Sequence, residues 1–137
     1  MPVPVEILEQ SFDLIAPRGD ELADRMYANI FAAAPAALAL FAGADMAAQK
    51  QKLFATLVML RNSLRNLDMM VPMLHALGER HARHGVVPAH YPIVGAALIA
   101  AMEAVGGDEW HPEYSESWTA AYRIVQETML SGLAVTV

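Results

Sequence analysis

Cysteine is absent from the sequence, which excludes a disulfide framework and any thiolate metal site. Long apolar runs are missing too. Phe31 to Ala44 is broken by Pro35, and Ile93 to Met102 spans only ten residues, so both read as buried helix rather than membrane span. Positive charge is scarce: nine Lys and Arg stand against fifteen Asp and Glu, a formal net charge of −6. Nucleic-acid recognition requires a basic face and is not expected here, whereas a basic docking partner would suit the acidity. The opening residues, Met1-Pro2-Val3-Pro4-Val5-Glu6, lack a basic region followed by an apolar core. A signal peptide is therefore not expected, and the cytoplasm is the default location. No Gly-rich phosphate loop, nucleophile elbow or Glu-x-x-His pair is present, which leaves phosphate binding, serine hydrolysis and a di-iron bundle without support.

What is present is apolar and helical. The chain of 137 residues suits one domain, residues 1–137, large enough to enclose a sizeable core and even a large cofactor. Hydrophobic residues make up 55%, an excess that either an apolar cavity or a large buried interface would explain. β-branched residues are sparse, alanine is abundant, and Pro and Gly fall mainly between periodic runs. The pattern predicts helices over Val5–Ala16 and Asp20–Ala33, with Asp20 as N-cap, and a short helix with Pro35 in its first turn that ends near Phe41. A long helix follows over Met46–Arg65, capped by Asp45, with Gln49, Leu53, Leu57, Leu60 and Leu64 on one stripe. Asn66-Leu67-Asp68 marks a break. The next helix carries Pro72 near its first turn, and the last two span Ala89–Val105 and Pro112–Ala134. Six or seven helices and no strand signal give an all-α chain; periodicity does not distinguish a bundle from crossed layers.

One stretch organises the rest. Met70, Leu74, Leu77 and His81 step by four, three and four residues, forming an apolar stripe that ends in an imidazole one turn before Gly85. Such a histidine either finds a partner in the core or binds something, and spacing alone favours the core reading. Tyr27 could likewise be a core tyrosine, Phe41 plain core and Gln49 a solvated first-turn residue. His81 and His84 stand i, i+3, but zinc needs a third ligand and His75 lies on another face.

The surrounding residues add a resemblance. Glu79-Arg80-His81-Ala82-Arg83-His84-Gly85-Val86, followed by His90-Tyr91-Pro92-Ile93-Val94-Gly95, resembles the proximal-histidine region of single-domain bacterial globins, flavohaemoglobin globin domains and the neuroglobin group. The likeness runs from about Ala23 to Met129. Tyr27 matches the distal tyrosine of the family's second helix, Phe41 the phenylalanine that wedges against the haem, Gln49 the distal polar residue and Leu53 the apolar residue one turn on. Thirty-two residues separate Gln49 from His81, as in the bacterial and neuroglobin-like members. Trp118 and Tyr122 match the last helix's Trp-x-x-x-Tyr.

The resemblance implies a globin fold of six to seven helices enclosing a haem b pocket, with His81 as the iron ligand. It implies that Tyr27 and Gln49 hold a bound diatomic ligand, and that Phe41, Leu53, Leu57, Leu77, Tyr91 and Val94, with His84 near the propionates, surround the cofactor. The expected function is reversible binding of dioxygen, carbon monoxide and nitric oxide. The alternatives are a nitric-oxide dioxygenase served by a separate reductase, and a haem-free helical sensor or interaction domain. A homodimer is compatible with all of these. One departure stands out. In flavohaemoglobins a tyrosine and a glutamate flank the proximal histidine; Tyr91 matches the tyrosine, but an ungapped count from Tyr122 puts Leu133 where the glutamate would be.

Overall fold

A computed structural model describes residues 4–135, with side chains described as far as Ser131. Six α-helices carry the chain: α1 (Val5–Ile15), α2 (Gly19–Ala33), α3 (Met46–Asn62), α4 (Val71–Arg83), α5 (His90–Gly106) and α6 (Pro112–Val135). Short 3-10 segments at Ala16–Arg18, Pro35–Phe41, Leu64–Met70 and Gly107–Glu109 make the joints. Among the described residues there is no strand, and no helix is long and apolar enough to cross a membrane.

Leu8, Phe12 and Ile15 are buried on α1, and Leu98, Ala101, Met102 and Val105 on α5. Of the stripe expected on α3, Leu57 is buried on the helix, Leu64 is buried in the joint beyond it, and Gln49, Leu53 and Leu60 are half-buried. Asp45 caps α3 as expected, its Oδ1 accepting from the Ala48 N–H at 3.2 Å. Two boundaries differ from expectation. Asp20 is not the N-cap of α2, because the Ala16–Arg18 turn runs straight into a helix that starts at Gly19. Asp20 sits instead in the first turn, where a carboxylate still meets the positive end of the helix dipole. The long helix ends at Asn62 rather than Arg65, since Ser63 leaves helical geometry and the chain tightens into 3-10 turns. That joint is tied to α1: Arg65 pairs with Glu9 at 2.8 Å and Arg61 with Asp13 at 2.8 Å. Asn66, inside the expected break, departs from helical dihedrals at φ −140° and ψ 46°. Pro72 lies in the first turn of α4, as expected, where its missing N–H would be unpaired anyway.

Two helix pairs dominate the packing, α2 against α5 and α4 against α6. In the first, Asn29 Nδ2 donates to the Ala97 carbonyl at 3.2 Å. In the second, Gly78 lets α4 touch the α6 backbone, for a Cβ there would collide with the Met129 carbonyl. Gly95 is similarly covered by the ring of Tyr122, whose hydroxyl donates to the Tyr91 carbonyl at 2.6 Å. The buried polar group at the centre is Ser11, which the apolar periodicity of α1 does not announce. Its Oγ accepts from Trp118 Nε1 at 2.8 Å and donates to the Ile7 carbonyl at 2.7 Å, so α1 and α6 meet through a satisfied bond. Ser11→Ala strands the indole N–H inside the core and is expected to cost about 1–3 kcal/mol in urea denaturation. An unchanged midpoint would mean that water reaches Trp118.

Candidate functional site

His81 is held from two sides by its own backbone neighbourhood. Its Nδ1 lies 2.8 Å from the carbonyl of Leu77, one turn earlier on α4. The carbonyl accepts, so Nδ1 carries the proton and Nε2 keeps the lone pair. The helix then stops in a Schellman motif. Val86 N–H donates to the His81 carbonyl at 3.0 Å and Gly85 N–H to Ala82 at 3.0 Å. Closing this turn needs the left-handed conformation that Gly85 supplies at φ +95°. Val86 completes the cap by packing against the cluster of Met70, Leu74, Tyr91 and Met129.

The Gly85 turn also meets the joint between α2 and α3. A Cβ on Gly85 would lie 3.1 Å from Leu40 Cδ2, so the Pro35–Phe41 segment reaches the end of α4. Phe41, next in sequence, packs edge-on against Tyr27 and Phe31, with ring centroids 5.5 Å away in each case. Phe31 completes this aromatic corner and was not among the expected site residues. Its position four residues after Tyr27, on the same face of α2, is the signal that could have found it.

The remaining expected residues divide between two apolar clusters. Tyr27, Leu53, Leu57 and Val94 belong with the larger, built on α1, α2, α3, α5 and α6. Leu77 and Tyr91 belong with the smaller, built on α4 and its contacts with α5 and α6. Leu60 and Leu67 touch both. Tyr27, Phe31, Phe41, Leu53, Leu77, His81 and Val94 are all half-buried. His84 is exposed, its Nδ1 beside the Arg80 carbonyl at 2.8 Å. Leu133 lies outside the residues whose side chains are described.

Several polar groups here are unpartnered. Asn29 and Thr56 use their side chains on backbone carbonyls, but among the described residues neither the Tyr27 hydroxyl nor the Gln49 amide makes such a bond. The buried Tyr91 hydroxyl has no partner either, and its ring lies 6.5 Å from that of His81. Burial pushes the phenol pKa of Tyr27, Tyr91 and Tyr122 upward, so all three stay protonated donors well above neutral pH. No group of three or more His, Asp or Glu side chains converges on a metal position among the described residues.

Comparison with known proteins decides what kind of site this is. The family model described as Globin matches residues 24–129. The chain belongs to the globin family. This globin is 32% identical over 130 residues to Flavohemoprotein B of Dictyostelium discoideum, covering 92% of this chain and 30% of that protein. It is 25% identical over 128 residues to the Flavohemoprotein of Bacillus subtilis, covering 92% and 32%. The chain thus spans about a third of the length of these curated relatives. Among solved structures, a bacterial globin from Campylobacter jejuni superposes with a TM-score of 0.79 at 22% identity, covering 93% and 92% of the two chains. A Pseudomonas aeruginosa protein described as structurally homologous to a human hemoglobin gives 0.81 at 26% identity, covering 93% and 96%.

As the counterpart of a flavohemoprotein's globin domain, this chain has haem as its cofactor. Its residues fit the group. A broad flat macrocycle needs apolar faces on both sides and an imidazole with a free nitrogen. The divided core supplies the faces, and His81, its proton committed to Leu77, offers the nitrogen.

Proposed function

We propose that this globin reversibly binds dioxygen and related diatomic ligands, carbon monoxide and nitric oxide, at a haem iron held by His81. The observation that carries the proposal is the bond from His81 Nδ1 to the Leu77 carbonyl, which leaves Nε2 as a lone-pair donor. When bound, haem supplies a ferrous iron that takes one diatomic ligand and releases it unchanged. The protein's own work is to hold, orient and exclude. Leu77 fixes the tautomer and, with the Schellman turn, the tilt of the imidazole. The protonated Tyr27 hydroxyl and the Gln49 amide NH2, both unpartnered among the described residues, donate to a ligand carrying partial negative charge. Phe41, Phe31, Leu53 and Leu57 keep water away, while Tyr91 and Val94 support the cofactor from α5. His84, exposed at the end of α4, faces solvent where a propionate could meet it.

His81→Ala is expected to lose tight haem binding, and added imidazole should partly restore the absorption spectrum. A variant that keeps the wild-type ferrous spectrum without imidazole would refute the role of His81. A wild-type protein that takes up no haem would leave the helical sensor or interaction domain as the reading.

Removing a hydrogen bond to a charged acceptor costs roughly 1.5–3 kcal/mol, about ten- to a hundredfold in rate. Tyr27→Phe and Gln49→Leu are each expected to speed dioxygen release by such a factor in stopped-flow measurements. Release of carbon monoxide, which is far less polar when bound, should change little. Equal effects on both ligands would point to sterics instead.

A nitric-oxide dioxygenase working with a separate reductase is the second reading, compatible with a globin that matches about a third of the longer flavohemoproteins. The proximal side separates it from a carrier. A carboxylate accepting from the imidazole N–H raises its basicity more than a neutral carbonyl does. Here the acceptor is the Leu77 carbonyl, and the Tyr91 hydroxyl finds no carboxylate among the described residues. Resonance Raman of the deoxy ferrous protein is therefore expected to show a low iron–histidine stretch that rises in Leu133→Glu. A high native frequency would favour the dioxygenase.

A further inference from the structure

Lys50 Nζ lies 2.9 Å from Asp24 Oδ1, an ion pair that joins α3 to α2. Asp24 precedes Tyr27 by three residues on α2, and Lys50 follows Gln49 directly on α3. The pair is therefore next door to both unpartnered donors. Helix direction strengthens the association. Gly19 faces the ring of Phe54, and five residues further along α2 Asp24 faces Lys50, four residues back along α3. The helices run in opposite senses here, so the turn after Asp24, which carries Tyr27, comes level with the first turn of α3, which carries Gln49.

Packing alone fixes that first turn poorly. Leu57 is the one buried residue on α3, two turns beyond Gln49. Asp45 caps the helix, but only onto its own Ala48 N–H. Among the described residues the Lys50–Asp24 pair is the polar side-chain tie between this turn and another element. Among the described residues the other ion pairs lie at Arg18–Glu21–Arg25, within α2 and the turn before it, and at the α1–α3 joint, so none of them links α2 to α3.

We infer that the Asp24–Lys50 ion pair is a positioning device that sets the spacing of Tyr27 and Gln49, so that both donors reach one ligand. The inference rests on the ligand-binding reading above. Because the pair is exposed, with side chains 35% and 63% accessible, it is weak and screened by salt. It shifts the population of the two-donor arrangement by no more than about fivefold.

Lys50→Met keeps most of the apolar stem and removes the charge. In the haem-loaded protein it is expected to speed dioxygen release about two- to fivefold. It should also move the infrared stretching band of bound carbon monoxide toward that of Tyr27→Phe. Molar salt should reproduce both changes in the wild type and add nothing in the variant. The exchanged pair Asp24→Lys with Lys50→Asp should recover the wild-type band, a rescue that a merely structural role would not require. Hydrogen exchange of the first-turn amides of α3 supplies a readout independent of haem: it should quicken in Lys50→Met with or without cofactor. Unchanged exchange overturns the tie itself. Quickened exchange with unchanged release and band overturns its role at the ligand, and failure of the wild type to bind haem through His81 overturns the underlying reading instead.

Discussion

Imidazole nitrogen Nδ1 of His81 donates to the Leu77 carbonyl, and this bond decides which ring nitrogen keeps a lone pair. The bond is local, one helical turn long, yet its usefulness depends on distant parts of the chain. α4 must end just after His81, which Gly85 arranges at positive φ. The end must stay in place, which the packing of Val86 and the contact of Gly85 with Leu40 arrange. An imidazole already fixed in tautomer and tilt would lose little freedom on taking up a metal.

The interior is divided for a related reason. Helix pairs α2–α5 and α4–α6 each pack closely, and small residues set their spacing: Gly78 against the Met129 backbone, Gly95 beneath Tyr122. α3 and α4 share no comparable packing, although they are consecutive along the chain apart from the Leu64–Met70 joint. A helical domain ordinarily shows one contiguous core. Here a smaller cluster meets the larger one at Leu60 and Leu67, with half-buried apolar side chains packed against both.

Electrostatics plays a smaller part. The ion pairs are mostly exposed and join neighbouring turns or clip α1 to α3, so each contributes little to stability. The tyrosines matter more. Burial keeps their hydroxyls protonated, and a protonated phenol is a donor wherever an acceptor arrives.

Much of this was readable from the sequence because the signals are local. Helical periodicity, prolines at first turns, Asp45 as cap and Gly85 as terminator depend on residues within a turn or two of one another, and the helices formed nearly where expected. The matching spacing of Tyr27, Phe41, Gln49 and His81 was a property of the sequence alone. Other features depended on residues far apart. Asp20 lost its cap role when a 3-10 turn joined α1 to α2, and the long helix stopped at Asn62 where Arg61 and Arg65 reach back to α1. Ser11 was unreadable as a core residue because its partner, Trp118, is 107 positions away. Phe31 joined the aromatic corner only once the Pro35–Phe41 segment folded back over α2. Sequence by itself determined the helices and the family, and it put forward His81 as the candidate imidazole. Tertiary structure alone decided which apolar faces met and which stayed apart, because a hydrophobic stripe specifies that a surface is to be covered and not what covers it.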